Sequence, residues 1–174
     1  RGLIEISNIC KKDCLYCGIR KSNHNVERYT IETQHVVDLA LSAWRKGFGS
    51  VVIQSGERTD PAFIELIASA VKAIRTGTGN EVGITLSCGE QTAETYRKWF
   101  EAGAHRYLLR IETSNEELFK TIHPQDGNHL YKTRLECLDS LRRIGYQTGT
   151  GVMIGLPGQT PGHLADERIV QDLE

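Results

Sequence analysis

The chain has 174 residues, 39% of them hydrophobic and 25% charged, with a formal net charge of -1. This balance suits one water-soluble domain with a sizeable core, and it removes any whole-chain case for nucleic acid or an anionic membrane surface. No apolar stretch approaches the roughly 20 residues that span a bilayer, and no secretory signal opens the chain, so a cytoplasmic protein is expected. Arg1 in place of Met, and a helix-like run reaching Glu174, lead to the further expectation of a chain cut at both ends.

Short β-branched runs alternate with amphipathic helical runs, the pattern of βα units on a parallel sheet. The first predicted strand, Leu3 to Ile9, opens directly onto Cys10, Cys14 and Cys17. A helix follows with Val36, Val37, Ala40, Leu41 and Trp44 on one face, ending at Gly47. Strand two spans Ser50 to Gln54. The second helix has Asp60 as N-cap and Pro61 at its first position, sets Phe63, Ile64, Ile67, Val71 and Ile74 on one face, and ends at Gly77. Strand three covers Val82 to Cys88, and the next helix sets Tyr96, Trp99 and Phe100 before Gly103. Strand four runs from His105 to Glu112. A helix carrying Cys137, Leu138, Leu141 and Ile144 before Gly145 then leads to strand five, Gln147 to Ile154. Five βα units cannot close an eight-stranded barrel, which takes about 250 residues. The expected fold is therefore α/β: a partial (β/α) TIM-type barrel of parallel strands, one domain over 1–174, truncated before closure. An open, doubly wound sheet is the alternative.

Five cysteines are an odd number and three fall within eight positions, which suits a metal site better than a disulfide framework. On a loop at the carboxyl end of strand one, three thiolates can ligate three irons of a 4Fe-4S cubane and leave the fourth iron open to a chelating substrate. A closed zinc site needs a fourth ligand, and only His24 lies nearby.

Strand parity sorts the remaining candidates. Alternation sends Tyr107, Leu109 and Ile111 to the helices and Leu108, Arg110 and Glu112 to the lumen, where a charge needs a ligand or a counter-charge. A mutual salt bridge between Arg110 and Glu112 is the alternative use. On strand three Thr85, Ser87 and Gly89 face the lumen, while Cys88 joins the core; Cys137 lies on the apolar stripe of its helix and is also a core thiol. Arg134, in the early turns of that helix, suits a carboxylate, or else snorkels over the core edge. The six histidines show no ligand spacing and read as surface or internally satisfied residues.

The segment Cys10-Lys11-Lys12-Asp13-Cys14-Leu15-Tyr16-Cys17, set after a strand with an aromatic before the third cysteine, resembles the radical S-adenosylmethionine (SAM) superfamily. The resemblance implies a 4Fe-4S cluster on Cys10, Cys14 and Cys17 that reductively cleaves SAM to methionine and a 5'-deoxyadenosyl radical. It sets Tyr16 against the adenine, with a packing aromatic as the alternative. It also makes Gln54-Ser55-Gly56-Glu57 similar to a glycine-glycine-glutamate segment that receives the methionine amino group.

Within the superfamily the chain is most similar to the HydE family, maturases of FeFe-hydrogenase. The residues are Ile6 to Cys10, Cys14 to Gly18, Val52 to Glu57, Thr85 to Glu90, Tyr107 to Thr113 and Met153 to Thr160. That resemblance implies cosubstrate contacts at Gln54, Gly56, Glu57, Glu112, Arg134 and Met153, and a substrate or anion pocket around Thr85, Ser87 and Arg110. The substrate it implies is a small metal complex, a cysteine-ligated iron carbonyl cyanide. Partners would be an electron donor such as ferredoxin or flavodoxin, and other maturation proteins. Lys11, Lys12, Arg20 and Lys21 could dock the donor or form a solvated surface. Pro161-Gly162-His163 departs from the more acidic helix start of the family. Related mutases and sulfur-inserting enzymes, of the methylornithine synthase and biotin synthase kinds, are the alternatives, followed by a non-catalytic iron-sulfur module.

Overall fold

Strands with one apolar face and helices with one apolar stripe bury both by stacking in two layers. In the computed structural model, which describes residues 1–165, they form one sheet of five parallel strands in the order β1-β2-β3-β4-β5. The strands are β1 (Gly2–Ser7), β2 (Ser50–Ser55), β3 (Gly83–Ser87), β4 (Arg106–Leu108) and β5 (Gln147–Gly149). The helices are α1 (Thr33–Arg45), α2 (Pro61–Gly77), α3 (Ala93–Glu101), α4 (Glu116–Thr121), α5 (Tyr131–Ile144) and α6 (Pro161–Ala165). Strands paired in sequence order through helical crossovers are the arrangement of a (β/α) barrel, and this sheet is a five-stranded part of one. The helix-like run toward Glu174 extends outside the described residues.

Local chemistry explains the helix ends. The Asp60 carboxylate accepts the Phe63 amide at 3.0 Å, so α2 starts where Pro61 can stand without a lost hydrogen bond. At the end of α5, Gly145 takes φ 106°, a conformation that disfavours any side chain. The core between helices and sheet holds Phe63, Ile67, Ile74, Leu86, Trp99 and Tyr107, all but sealed from water. Each such side chain contributes about 1.5–3 kcal/mol of burial energy, and edge contacts such as Tyr96 to Tyr107, with centroids 5.0 Å apart, add to it.

The parity assignments for strands three and four hold. Tyr107, Leu109 and Ile111 are at most 3% exposed, as are Val82, Ile84, Leu86 and Cys88. Strands four and five are shorter than expected. After Leu108 the ladder is interrupted, because the Thr150 hydroxyl takes the Ile111 amide at 3.1 Å in place of a carbonyl. Pairing resumes at a single bridge between Glu112 and Val152. Helix α4 has no counterpart in the expected elements. It is six residues long, N-capped by Asn115 through the Leu118 amide at 2.8 Å, and too short to display a helical period.

Candidate metal and cofactor site

All the carboxyl ends of the strands open on one edge of the sheet, and the cysteine loop leaves that edge directly after β1. Cys10, Cys14 and Cys17 are free thiols, each partly exposed. Burial, followed by the nearby Cys10 and Cys17, pushes the Cys14 thiol up to about 11, and burial raises Cys10. Such thiols would bind iron as thiolates, giving up their protons to solvent. Arg28 staples the return of the loop by donating to the carbonyls of Asn8, Ile19, Arg20 and Asn23.

The turn after β2 lies against this loop. A Cβ on Gly56 would come within 2.4 Å of the Ile9 carbonyl oxygen and 2.9 Å of the Cys10 Cβ, so only glycine allows the two segments to touch. The Glu57 amide then donates to Cys10 Sγ at 3.3 Å. Glu57 is 5% exposed; its Oε2 accepts the Glu90 amide at 2.8 Å, and its buried Oε1 has no hydrogen-bond partner. Lys11 and Lys12 stand 3.4 and 3.5 Å from that oxygen. Burial first, then Glu90, holds the Glu57 carboxyl above its usual range.

Beneath the loop four charges form a closed group. Lys12 donates to Glu90 at 2.6 Å, and Arg134 Nε donates to the other Glu90 oxygen at 2.6 Å. Burial works to raise Glu90, but Arg134 and Lys12 outweigh it and hold its carboxyl low. One sequence-based expectation changes here. Lys12 is 5% exposed, so it drops out of the basic surface patch. Arg134 is 7% exposed, with its guanidinium on Glu90 and the Arg110 carbonyl, and it lies close enough to Cys14 and Tyr16 to act on both electrostatically. Glu90, unassigned from sequence, joins the two cations.

On the lumen side, Arg110 donates to Glu112 Oε2 through Nη2 at 2.7 Å and Nε at 3.2 Å, so the salt bridge foreseen as the alternative forms. Glu112 has φ 69°, a left-handed conformation that costs a non-glycine residue about 1–2 kcal/mol and turns its carboxylate to the mouth. Its Oε1 accepts from the Tyr16 hydroxyl at 3.2 Å. His123 shares that hydroxyl, with Nε2 at 3.4 Å. The Phe119 carbonyl, 2.9 Å from Nδ1, can only accept, so Nδ1 carries the His123 proton and Nε2 is bare.

His123 therefore folds neutral, with burial pressing its pKa down to about 4 from 6.5. The unfolded chain binds the extra proton between these values, so stability contributed by neutral His123 is present above pH 6.5 and lost as pH falls toward 4. The expected loss is about 3 kcal/mol. Urea unfolding at pH 7 and pH 4.5 checks it; an equal pH slope in His123→Gln would remove the assignment.

The remaining expected residues divide. Gln54 pairs in register with Ser87 and donates to Glu5 Oε1 at 3.0 Å, so both lie at the upper lumen. Thr85 is level with Val52 and Arg106, lining a cavity of about 350 Å³ with Leu108 and Thr148. That is four residues before Arg110 in the chain, about 13 Å if the backbone stays extended, and Arg110 does not line this cavity. The Met153 side chain packs on Leu118, Ile122 and Leu156, while its amide donates to the Glu112 carbonyl at 2.8 Å.

The donor set suits a cubane. Among the described residues no three His, Cys, Asp or Glu side chains converge on one metal position, whereas a cubane spreads its three thiolates over three irons. His24, the one nearby residue that could close a zinc site, is exposed. A parallel α/β partial barrel with three thiols on the loop after β1 defines an iron-sulfur class of protein. The Radical SAM superfamily model matches residues 4–167, and the chain belongs to that superfamily. Membership implies a 4Fe-4S cluster and SAM.

The chain is 45% identical over 168 residues, 96% of its length, to the FeFe hydrogenase maturase subunit HydE of Thermotoga maritima, of which it spans 46%. It is 30% identical to a biotin synthase of Nostoc punctiforme, covering 92% of this chain and 45% of that one. Among solved structures, HydG, a maturase of the FeFe-hydrogenase, superposes with TM-score 0.81 at 25% identity, covering 99% of this chain and 38% of that one. Methylornithine synthase superposes at 0.86 and 21% identity, covering 99% and 50%, a likeness of fold. The chain thus spans about half the length of the curated relatives it matches.

Proposed function

We propose that residues 1–174 are the core of a cytoplasmic radical SAM enzyme of the HydE kind, acting on a small metal complex in FeFe-hydrogenase cofactor maturation. The observation that carries this reading is the juxtaposition of three thiols with a charged lumen mouth, where Tyr16 links the cysteine loop to Glu112 and Glu112 to Arg110. A passive electron carrier has no need of such a mouth. Similarity to HydE supports the substrate class.

Cys10, Cys14 and Cys17 would hold the cluster. When bound, it supplies the single electron that cleaves SAM. Gly56 lets the chain approach the loop closely, and Glu57 Oε1, which faces the Lys11 and Lys12 ammoniums at 3.4 and 3.5 Å, would take the ammonium of methionine in place of one of them. Tyr16 would lie against the adenine, with Gln54, Glu112 and Met153 around the cosubstrate. Arg134, beside Cys14 and Tyr16, would grip the methionine carboxylate on leaving Glu90. Arg110, about half exposed, and Ser87 would meet the substrate, with Thr85 deeper in the lumen. An acidic electron donor such as ferredoxin or flavodoxin would approach Lys11 and Lys21, which line a cavity of about 510 Å³ beside Cys10.

The test is restoration of hydrogenase activity by the full-length protein in cells lacking their own maturase. Arg110→Ala is expected to keep SAM cleavage while lowering this activity about tenfold or more, the loss of one charge-assisted contact. Failure of the wild-type protein, together with turnover of an amino-acid or biotin-precursor substrate, would move the assignment to a mutase or a sulfur-inserting enzyme.

A further inference from the structure

Five residues between Cys10 and Cys17 are not cysteine, and every one is fastened. The Lys11 amide donates to the Glu57 carbonyl at 2.9 Å. The other four all reach one distant stretch, residues 122–129, in the connection between β4 and α5. Lys12 Nζ donates to the Asn128 carbonyl, the Asp13 amide to His129 Nε2 at 2.9 Å, and the Leu15 amide to the Ile122 carbonyl at 3.0 Å. The Tyr16 ring meets the His123 ring edge-on, with centroids 5.5 Å apart. None of these anchors uses a thiol. The loop has no helix or strand of its own, so contacts made about a hundred residues away in sequence set its shape.

His129 anchors the residue just before Cys14, as the Ile122 carbonyl anchors the residue just after it. His129 is 8% exposed, and its Nδ1 lies 2.6 Å from Asp126 Oδ1. The carboxylate draws the ring proton to Nδ1 and leaves a lone pair on Nε2, which is what the Asp13 amide requires. Asp13 immediately precedes Cys14, so this one bond orients the peptide that delivers the second thiol.

We propose that residues 122–129 clamp the cysteine loop in its ligating shape and that His129 is the positioning residue of the clamp, acting on Cys14 through the Asp13 amide. This rests on the reading that Cys10, Cys14 and Cys17 hold a 4Fe-4S cluster. A clamped loop offers its thiolates in place, and each Cys–iron bond that opens re-forms before the loop reorders. Released, the loop reorders first and iron escapes.

The experiment uses full-length protein reconstituted anaerobically and follows iron loss to a ferrous chelator together with the paramagnetic resonance spectrum of the reduced cluster. His129→Leu is expected to lose iron about tenfold faster with a broadened spectrum, the scale on which outer-shell partners of metal ligands act. His129→Gln is expected to stay within about twofold of wild type, since its amide oxygen can stand where Nε2 stood. Asp126→Ala, at a side chain 44% exposed, is expected to lose iron about threefold faster without disturbing the fold, less than the tenfold of His129→Leu because the ring still meets the Asp13 amide. His129→Leu at the wild-type rate overturns the clamp, as does Gln failing like Leu, which would mean that ring packing alone matters. If His129→Leu does not fold, Asp126→Ala at the wild-type rate overturns it. A wild-type chain that takes up no 4Fe-4S cluster overturns the cluster reading and the clamp with it; a loaded wild type matched by every variant overturns the clamp alone.

Discussion

Exchanging Cys10, Cys14 or Cys17 for Ala is expected to abolish the cluster, with iron and sulfide falling from about four each per site to background. Exchanging Cys88 or Cys137 is expected to leave it intact. The first three thiols stand together on one loop, and losing any of them leaves an iron without a protein ligand. Cys88 instead is fully buried on the helix side of β3, with Sγ 3.9 Å from the Ile53 carbonyl. Cys137 is 8% exposed on α5, with Sγ 3.6 Å from the Gln91 carbonyl. Their removal costs packing only, about 1 kcal/mol for so small a group. Iron and sulfide analysis after reconstitution decides the matter. Cluster loss in Cys88→Ala would mean that β3 presents the other face.

Arg134→Ala is expected to destabilise the fold by about 3–5 kcal/mol, the scale of a buried ion pair broken from one side. Lys12 and Arg134 balance Glu57 and Glu90, and all four side chains are under a tenth exposed. Without Arg134 the pair of carboxylates faces Lys12 and the half-exposed Lys11, Glu90 keeps Lys12 alone, and the Arg110 carbonyl loses its donor. Glu90→Gln in the same chain removes one of the excess charges, so the double variant should recover part of the loss. Urea unfolding of the two variants measures it. An Arg134→Ala chain of unchanged stability that merely bound SAM more weakly would make Arg134 a cosubstrate contact only and the Glu90 pairing incidental.

The contrast between these two experiments follows the contrast between what could and could not be read along the chain. Cys10, Cys14 and Cys17 lie within eight positions, and covalent spacing brings them together whatever the remainder does. The faces of β3 and β4, and the Asp60 and Pro61 start of α2, follow equally from periods of two and 3.6 and from the geometry of one cap. The histidines were legible only as surface or internally satisfied residues. His123 and His129 are buried and bonded, but that they grip the cysteine loop has no local signal, since Asp13 and His129 are 116 residues apart.

The ends of β4 and β5 were read too long because apolar alternation continues through Ile111, while the Thr150 hydroxyl ends the regular ladder from the neighbouring strand. The sequence by itself determined the βα order, the core faces and the thiol loop, because each depends on neighbours within a few residues. Only the tertiary structure decided that Lys12 is buried, that Glu90 holds Arg134 and that Glu112 takes a left-handed backbone. A charge in a low-dielectric interior must find its counter-charge wherever the crossovers bring one, and that partner lies 44 residues away for Arg134 and 78 for Lys12.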